Sequence, residues 1–393
     1  MLSQWRDSMI SEFIKRQKAK SDLNKCFMNA GLYKTYKNSS GRQFYSYPKI
    51  HSVVFKDDST QYTFALLNGM DPKEVMKKEY VFMQSFGSNI ELEGDFKRFI
   101  LTLHKKVMPK ELIYKAEEII QYLCHLKLGV ICGQDRHGEY VAFDLLKQPH
   151  ILVAGETGSG KSTQLRSILS SLILTKKPSE VEFYLGDCKK SEFHIFRKVE
   201  HVKCVLSNAK EIKRMLQHIK KELDERSDLT EVYEVSHVDD LPEEHIRPYI
   251  VVCIDEFVML RKDDEIMEIL TEVVAIGRTL GVFAVLSMQR PNAKVLDTTI
   301  RANLTVSMGF KLRDVTESRI VNTPKAHEIE VSGRFIMNSD KLYELQAPYL
   351  TLENAKKLLE PFLVAKEAKT VNDDSATLRG EIIEEEVFFD AID

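Results

Sequence analysis

The run GETGSGKS at residues 155–162 has the spacing G-x-x-x-x-G-K-S. Gly155, Gly158 and Gly160 allow successive backbone N–H groups to converge on an anion, and a helix starting at the lysine adds its positive end. Lys161 supplies a point charge for the β- and γ-phosphates of a nucleotide. Ser162, with Thr163 beside it, offers a hydroxyl to Mg²⁺. Glu156, Thr157 and Ser159 fill the variable positions of the loop. Both flanks fit, with the apolar run ILVA before the loop and STQLRSILSSLIL after it. A second element, YIVVCIDE at 249–256, places Asp255 and Glu256 at the end of an apolar run. Asp255 suits an outer-sphere role toward Mg²⁺, and Glu256 suits a base that polarises an attacking water. A third, SMQRP at 287–291, puts Gln289 where it would sense the γ-phosphate.

These residues need a scaffold that brings strand ends together. From residue 150, short apolar runs alternate with amphipathic stretches: 150–155, 181–187, 201–206, 249–256, 282–289 and 305–312. Such runs suit strands of a parallel sheet buried on both faces. Between them, residues 208–226 carry Ile212, Met215, Leu216, Ile219 and Leu223 on one stripe, with Asn208 as the cap. Residues 264–280 repeat the pattern. The spacing predicts an α/β domain with a mainly parallel sheet and ligands at the carboxyl ends of its strands. Upstream, runs at 51–55, 61–67, 89–94 and 96–105 alternate like paired strands around a helix at 71–86, capped by Asp71 with Pro72 in its first turn. That is a small α+β subdomain. Helices are expected at 3–22 and 110–126, and a loop at 30–49. The expected organisation is an N-terminal helix and arm (1–50), the subdomain (51–127), the main domain (128–364) and a tail (365–393).

The chain has 393 residues, 43% hydrophobic and 29% charged, which excludes a mostly disordered polypeptide. No apolar run is long enough to cross a bilayer, and the first residues lack a signal-peptide core, so a cytoplasmic location is expected. The six cysteines are scattered without a C-x-x-C pair and read as small buried hydrophobes, not as disulfides or zinc ligands. Net charge is −3, unevenly spread. Residues 1–50 hold ten Lys or Arg against three acids, and 365–393 hold three against nine. The basic arm, which includes Lys34, Tyr36, Lys37, Arg42 and Phe44, and the acidic tail ending EEEVFFDAID are candidate contact segments for a membrane or DNA-processing partner. Their bland reading is a surface arm and a disordered terminus.

LGVICGQDRHGEYVAFDLLKQPHILVAGETGSGKS at 128–162 resembles the entry to the motor domain of the FtsK/SpoIIIE DNA translocases, including Gly133, Asp135, Gly138, the Asp144-Leu145 pair and Pro149-His150. LGDCKKSEF (185–193) is similar to the family's I-D-P-K-x-x-E-L segment. Asp187, Lys189 and Glu192 match, and Cys188 replaces proline. ELDER (222–226) keeps Glu222 and Arg226 of another family stretch. IDEFVML (254–260), GRTLGVFAVLSMQRP (277–291), IRANL (300–304) and ESRIV (317–321) follow in the family's order. GRFIMNSDKLYELQAPYL (333–350) resembles the closing segment of smaller members from conjugative elements. The resemblance implies a RecA-like P-loop NTPase domain that uses ATP and Mg²⁺, acts on double-stranded DNA and assembles as a homo-hexameric ring. It also implies an arginine finger from the neighbouring subunit. Val306 stands where chromosome-segregating members often have arginine, so the finger candidates are Arg278 and Arg319, with Arg290 and Arg301 beside them. As read, the chain is expected to lack the family's preceding membrane domain and, after 364, its winged helix. A motor that drives protein secretion stays open as the alternative. A nucleotide-binding adaptor is disfavoured by the intact Lys161, Ser162, Asp255 and Glu256 set.

Overall fold

The structure is a computed structural model that describes residues 2–364 apart from 38–40, 57–58, 88, 106–107, 293–295 and 297. The acidic tail therefore lies outside the described residues. The chain forms two compact units, one of residues 1–108 with 136–138 and one of the remainder. Among the described residues no helix is long and apolar enough to cross a membrane.

The first unit runs α1 (Leu2–Asn29), β1 (Lys34–Lys37), β2 (Gln43–Ser46), β3 (Lys49–Phe55), β4 (Ser59–Ala65), α2 (Pro72–Lys77), α3 (Glu79–Phe86), β5 (Ile90–Gly94) and β6 (Arg98–His104). Strands β3-β4-β6-β5 form one antiparallel sheet. Its core is aromatic: Phe27 from α1, Phe64 from β4, Phe82 from α3 and Phe99 from β6 are all fully buried. The expected loop at 30–49 is instead largely a hairpin, β1 pairing with β2. Its residues are almost all exposed, so it carries little of the burial pattern that marks a strand in a sequence. The helix expected at 71–86 is two helices that meet at Lys78. Asp71 Oδ1 caps the first by accepting from Lys73 N at 2.9 Å.

The second unit contains β7 (Leu112–Ile113), α4 (Ala116–Leu123), β8 (Gly129–Gln134), β9 (Tyr140–Asp144), β10 (Ile151–Ala154), α5 (Lys161–Thr175), β11 (Val181–Asp187), β12 (Val202–Leu206) and α6 (Ala209–Val232). It continues with β13 (Tyr249–Asp255), α7 (Asp264–Leu280), β14 (Val282–Met288), α8 (Thr298–Asn303), β15 (Val306–Gly309), α9 (Val315–Ile320), β16 (Arg334–Asn338), β17 (Leu342–Gln346), β18 (Pro348–Tyr349) and α10 (Leu352–Leu359). Its ten-stranded sheet has the order β12-β11-β13-β14-β10-β15-β16-β17-β8-β9. Strands β12 to β15 in that order are parallel, and every pairing from β15 onward is antiparallel. The six expected apolar runs all lie in the parallel half. Its central strands β10, β13 and β14 are buried on both faces, which explains their continuous apolar sequence. The α/β reading therefore stands, with an antiparallel extension that the sequence reading did not separate into strands.

The units divide at Met108–Pro109 and not at 127–128. Helix α4, expected to run over 110–126, is shorter, and it packs in the second unit. Ile119 and Leu123 are fully buried in one core with Leu165, Ile168 and Leu172 of α5.

Candidate active site

Strand β10 lies between β14 and β15, so the loop that follows Ala154 emerges at the carboxyl edge of the parallel half. Neighbouring backbone holds the loop on both sides. Gly155 N donates to Met288 O at 3.2 Å and Glu156 N to Lys311 O at 2.9 Å. From the turn before β16, Gly333 N donates to Ser159 O at 2.8 Å and Ser332 Oγ to Gly158 O at 3.1 Å. Gly160 opens α5 at φ +108°, and a Cβ there would meet Gly333 Cα at 2.7 Å. A side chain at 160 would thus clash with backbone as well as strain its own dihedral.

The cleft above the loop has a volume of about 810 Å³. Glu156, Thr157, Gly158, Gly160, Lys161, Ser162 and Thr163 line it, together with Lys189 and Gln289. Asp255 and Glu256 do not line it. Each is covered by a lysine that does. Lys161 Nζ donates to Asp255 Oδ1 at 2.6 Å and to Ser287 Oγ at 3.0 Å, and Ser287 Oγ also donates to Asp255 Oδ1. Lys161 and Asp255 are 3% and 2% exposed, so this ion pair is buried. Lys189 Nζ donates to Glu256 Oε2 at 2.9 Å, while Gln289 N donates to Glu256 Oε1 at 3.2 Å. Glu256 itself adopts φ +57°, ψ +46°, a left-handed conformation that costs a non-glycine residue about 1–2 kcal/mol. Strain of this kind concentrates where a side chain must be aimed. Gln289 Oε1 accepts from Thr157 Oγ1 at 3.3 Å, tying the end of β14 to the loop.

The D-x-K-x-x-E spacing gains a structural reason. The buried Asp187 carboxylate accepts from the backbone N–H groups of Ser191, Glu192 and Phe193 and so pins the turn that carries Lys189 toward Glu256. Glu192 accepts from Arg166 Nη2 at 3.2 Å. Burial, with Asp255 and Asp187 beside it, pushes the Cys188 thiol up to about 12, so it stays a neutral group among acids. Four of the six cysteines are buried, Cys188 is intermediate and Cys124 is exposed, which corrects the uniformly buried expectation.

Other residues of the resemblance hold the fold. Asp144 accepts from the backbone N–H groups of Lys127, Leu128 and Leu146. Arg226, 3% exposed, donates to Leu280 O, Pro248 O and Glu222. Arg278 and Arg319 are exposed and lie outside the cleft. Arg278 donates to Leu146 O at 3.2 Å.

The sequence reading missed one wall of the cleft, made of Lys110, Glu111, Ser332, Gly333, Gln346 and Tyr349. Gln346 is buried and donates to Ser332 O at 3.0 Å. These residues carry no phosphate-binding spacing; the antiparallel extension brings in Ser332, Gly333 and Gln346, and the small parallel β7–β18 pair brings in Lys110, Glu111 and Tyr349. Three observations fit the loop to a phosphate group: the glycine backbone, the cleft lysines Lys110, Lys161 and Lys189, and the buried Ser159 hydroxyl, which has no hydrogen-bond partner among the described residues.

Residues 125–244 match the FtsK/SpoIIIE family. The DNA translocase FtsK of Oceanobacillus iheyensis is 28% identical over 280 residues, covering 66% of this chain and 35% of the relative. That of Leptospira interrogans is 31% identical over 253 residues, covering 59% and 26%. The chain thus spans about a quarter to a third of the length of these curated relatives. Among solved structures, the pCW3 conjugation coupling protein TcpA, in a monomer form with ATPγS, aligns with a TM-score of 0.60 at 23% identity over 88% of this chain and 99% of that one. The cytoplasmic domain of the Thermomonospora curvata type VII secretion ATPase EccC aligns at 0.55 and 24% identity over 60% of this chain and 31% of that one. Both likenesses are of fold.

Proposed function

Taking residues 125–244 as an FtsK/SpoIIIE-family P-loop ATPase segment, we propose that the chain is an ATP-driven motor that moves double-stranded DNA as a homo-hexameric ring and serves the transfer or segregation of a mobile element. The observation that carries the ATPase reading is the double pairing Lys161–Asp255 and Lys189–Glu256 at the edge of a phosphate-binding loop. DNA as cargo rests on the relatives named DNA translocase. It also rests on the likeness to a conjugation coupling protein over nearly the full length of both chains.

In this reading Lys161 exchanges its contact with Asp255 for the β- and γ-phosphates. Asp255 and the Ser162 hydroxyl would then hold Mg²⁺, which neutralises phosphate charge when bound. Glu256 accepts a proton from the water that attacks the γ-phosphorus, and the bond to ADP breaks. Gln289 spans the gap between this carboxylate and the loop through its own N–H and side chain. Arg278 or Arg319, exposed on the surface, reaches the cleft of the next subunit. Movement follows from a grip on DNA phosphates that differs between nucleotide states. A cytoplasmic location, with recruitment to a membrane by a partner, belongs to the same proposal.

The test is ATP turnover against duplex length at low and moderate salt, with Glu256→Gln as the blank. Duplex DNA should raise turnover regardless of sequence, above a minimum length, with stimulation falling steeply as salt rises. Flat turnover at all lengths, in a protein shown to be a ring, overturns the DNA reading. Stimulation by a partner peptide instead would assign the motor to protein secretion.

A further inference from the structure

The first unit brings two imidazoles and a carboxylate to one point. Glu91 lies on β5 and His104 at the end of β6. In the antiparallel register Glu91 faces Thr102, so His104, two residues on, projects from the same face of the sheet as Thr102 and sits diagonally across from Glu91. His137 comes from the turn Arg136–Gly138, which belongs to this unit. His104 Nε2 is 3.5 Å and His137 Nε2 is 4.0 Å from Glu91 Oε2, and the two rings stand 3.7 Å apart between centroids. One ligand atom from each residue lies within 4.8 Å of the others.

We propose that Glu91, His104 and His137 form a zinc-class divalent metal site. A tetrahedral zinc ion with bonds near 2.0–2.1 Å holds its ligand atoms roughly 3.3 Å apart. The carboxylate-to-imidazole separations, 3.5 Å and 4.0 Å, exceed this by about 0.2 and 0.7 Å, a closure within reach of side-chain rotation. Two imidazoles with one carboxylate match zinc and its transition-metal neighbours. Mg²⁺ and Ca²⁺, which prefer sets of oxygens, are not matched. The set is pre-formed. His104 N donates to Asn89 O at 3.0 Å, and Asn89 Nδ2 reaches both His104 O and Arg136 O at 3.4 Å, so one residue fixes the strand end and the turn that carry the histidines. Three protein ligands leave the fourth position to water. His104 is largely buried, while Glu91 and His137 keep a path open to solution.

The competing reading is a carboxylate that pairs with whichever imidazole is protonated. Titration of the full chain with Zn²⁺, and with Co²⁺ as the spectroscopic substitute, separates the two. The experiment is run in excess Mg²⁺ without nucleotide. One equivalent should bind, with the intense visible absorption of tetrahedral Co²⁺, and affinity should fall as pH drops and the imidazoles protonate. His137→Asn, in the turn, and Glu91→Gln should each weaken binding at least tenfold. Cys124→Ser, at the exposed thiol, should leave it unchanged. Retention of the equivalent in a His104→Asn/His137→Asn double variant overturns the site, as does the absence of micromolar binding by the wild-type chain.

Discussion

Lys189 and Glu256 are joined at 2.9 Å, and the lysine stands on the cleft side of the pair. The candidate base is therefore held by a residue that also lines the cleft. Its two oxygens have separate donors, Lys189 Nζ and Gln289 N, and its backbone is strained. This arrangement fixes direction at the expense of freedom, as expected of a group that must align a water.

Glu256→Gln should lower ATP turnover by about 10²–10⁴-fold while leaving nucleotide affinity within a few-fold of wild type. Lys189→Met should lower kcat about tenfold with little change in KM, because the carboxylate remains but loses one of its two donors. Steady-state kinetics and equilibrium nucleotide binding check both. A Lys189→Met protein with raised kcat would show that the lysine restrains the base.

Lys161→Ala should abolish turnover and also destabilise the fold by about 3–5 kcal/mol, since Asp255 is left charged and buried. Adding Asp255→Asn should recover much of that stability and none of the activity. Urea midpoints of the two single variants and the double variant measure the coupling. If the two effects simply add, the pair is not the buried ion pair described above.

Gly333→Ala places a Cβ 2.7 Å from Gln346 Nε2 at φ +77°. The turn that accepts this strain also donates to Ser159 O. Nucleotide affinity should therefore fall several-fold, although residue 333 lies outside the loop motif. Binding of a fluorescent nucleotide reports the change.

Mixing inactive Lys161→Ala chains into wild type should depress turnover more than in proportion to their share if arginines act between subunits. Turnover per chain should also rise with concentration as rings form. Strictly proportional loss, with a monomer by light scattering, would sink the ring.

His150 accepts from Ala284 N at 3.1 Å, and burial lowers its pKa from 6.5 to about 4. Because the folded value lies below the unfolded one, the neutral ring stabilises the native state. That contribution is whole above about pH 6.5 and fades as the pH drops toward 4, by about 3 kcal/mol in all. His150→Asn keeps a residue that tolerates φ +61° and removes the titration. Its urea midpoint should change less than the wild-type value between pH 7 and pH 4.5.

Where local chemistry decided structure, the sequence was a sound guide. Helix α7 runs over 264–280 as read, because Asp263 caps it and Gly281 ends it in the left-handed region. The loop at 155–162 was legible because a phosphate cradle needs its glycines and lysine at fixed offsets. The pairing of Lys161 with Asp255 was not, since 94 residues separate them and only the sheet order brings them together. Nor was the wall of Gln346 and Tyr349. Strand β16 buries the alternate residues Phe335 and Met337, and β17 buries only its end, Leu345 and Gln346, a weaker signal than the unbroken apolar runs of the parallel half.

Strand β8 spans Gly129–Gln134, yet it lies between β9 and β17, and β17 spans Leu342–Gln346. During synthesis the β8–β9 hairpin must therefore wait for about two hundred further residues, roughly 10–40 s at 5–20 residues per second. Throughout that interval the end of β8 that meets β17, Gln134 opposite Gln346, lacks its partner strand. Slowing the ribosome between codons 144 and 342 should lower the yield of soluble protein more than the same delay placed after codon 350.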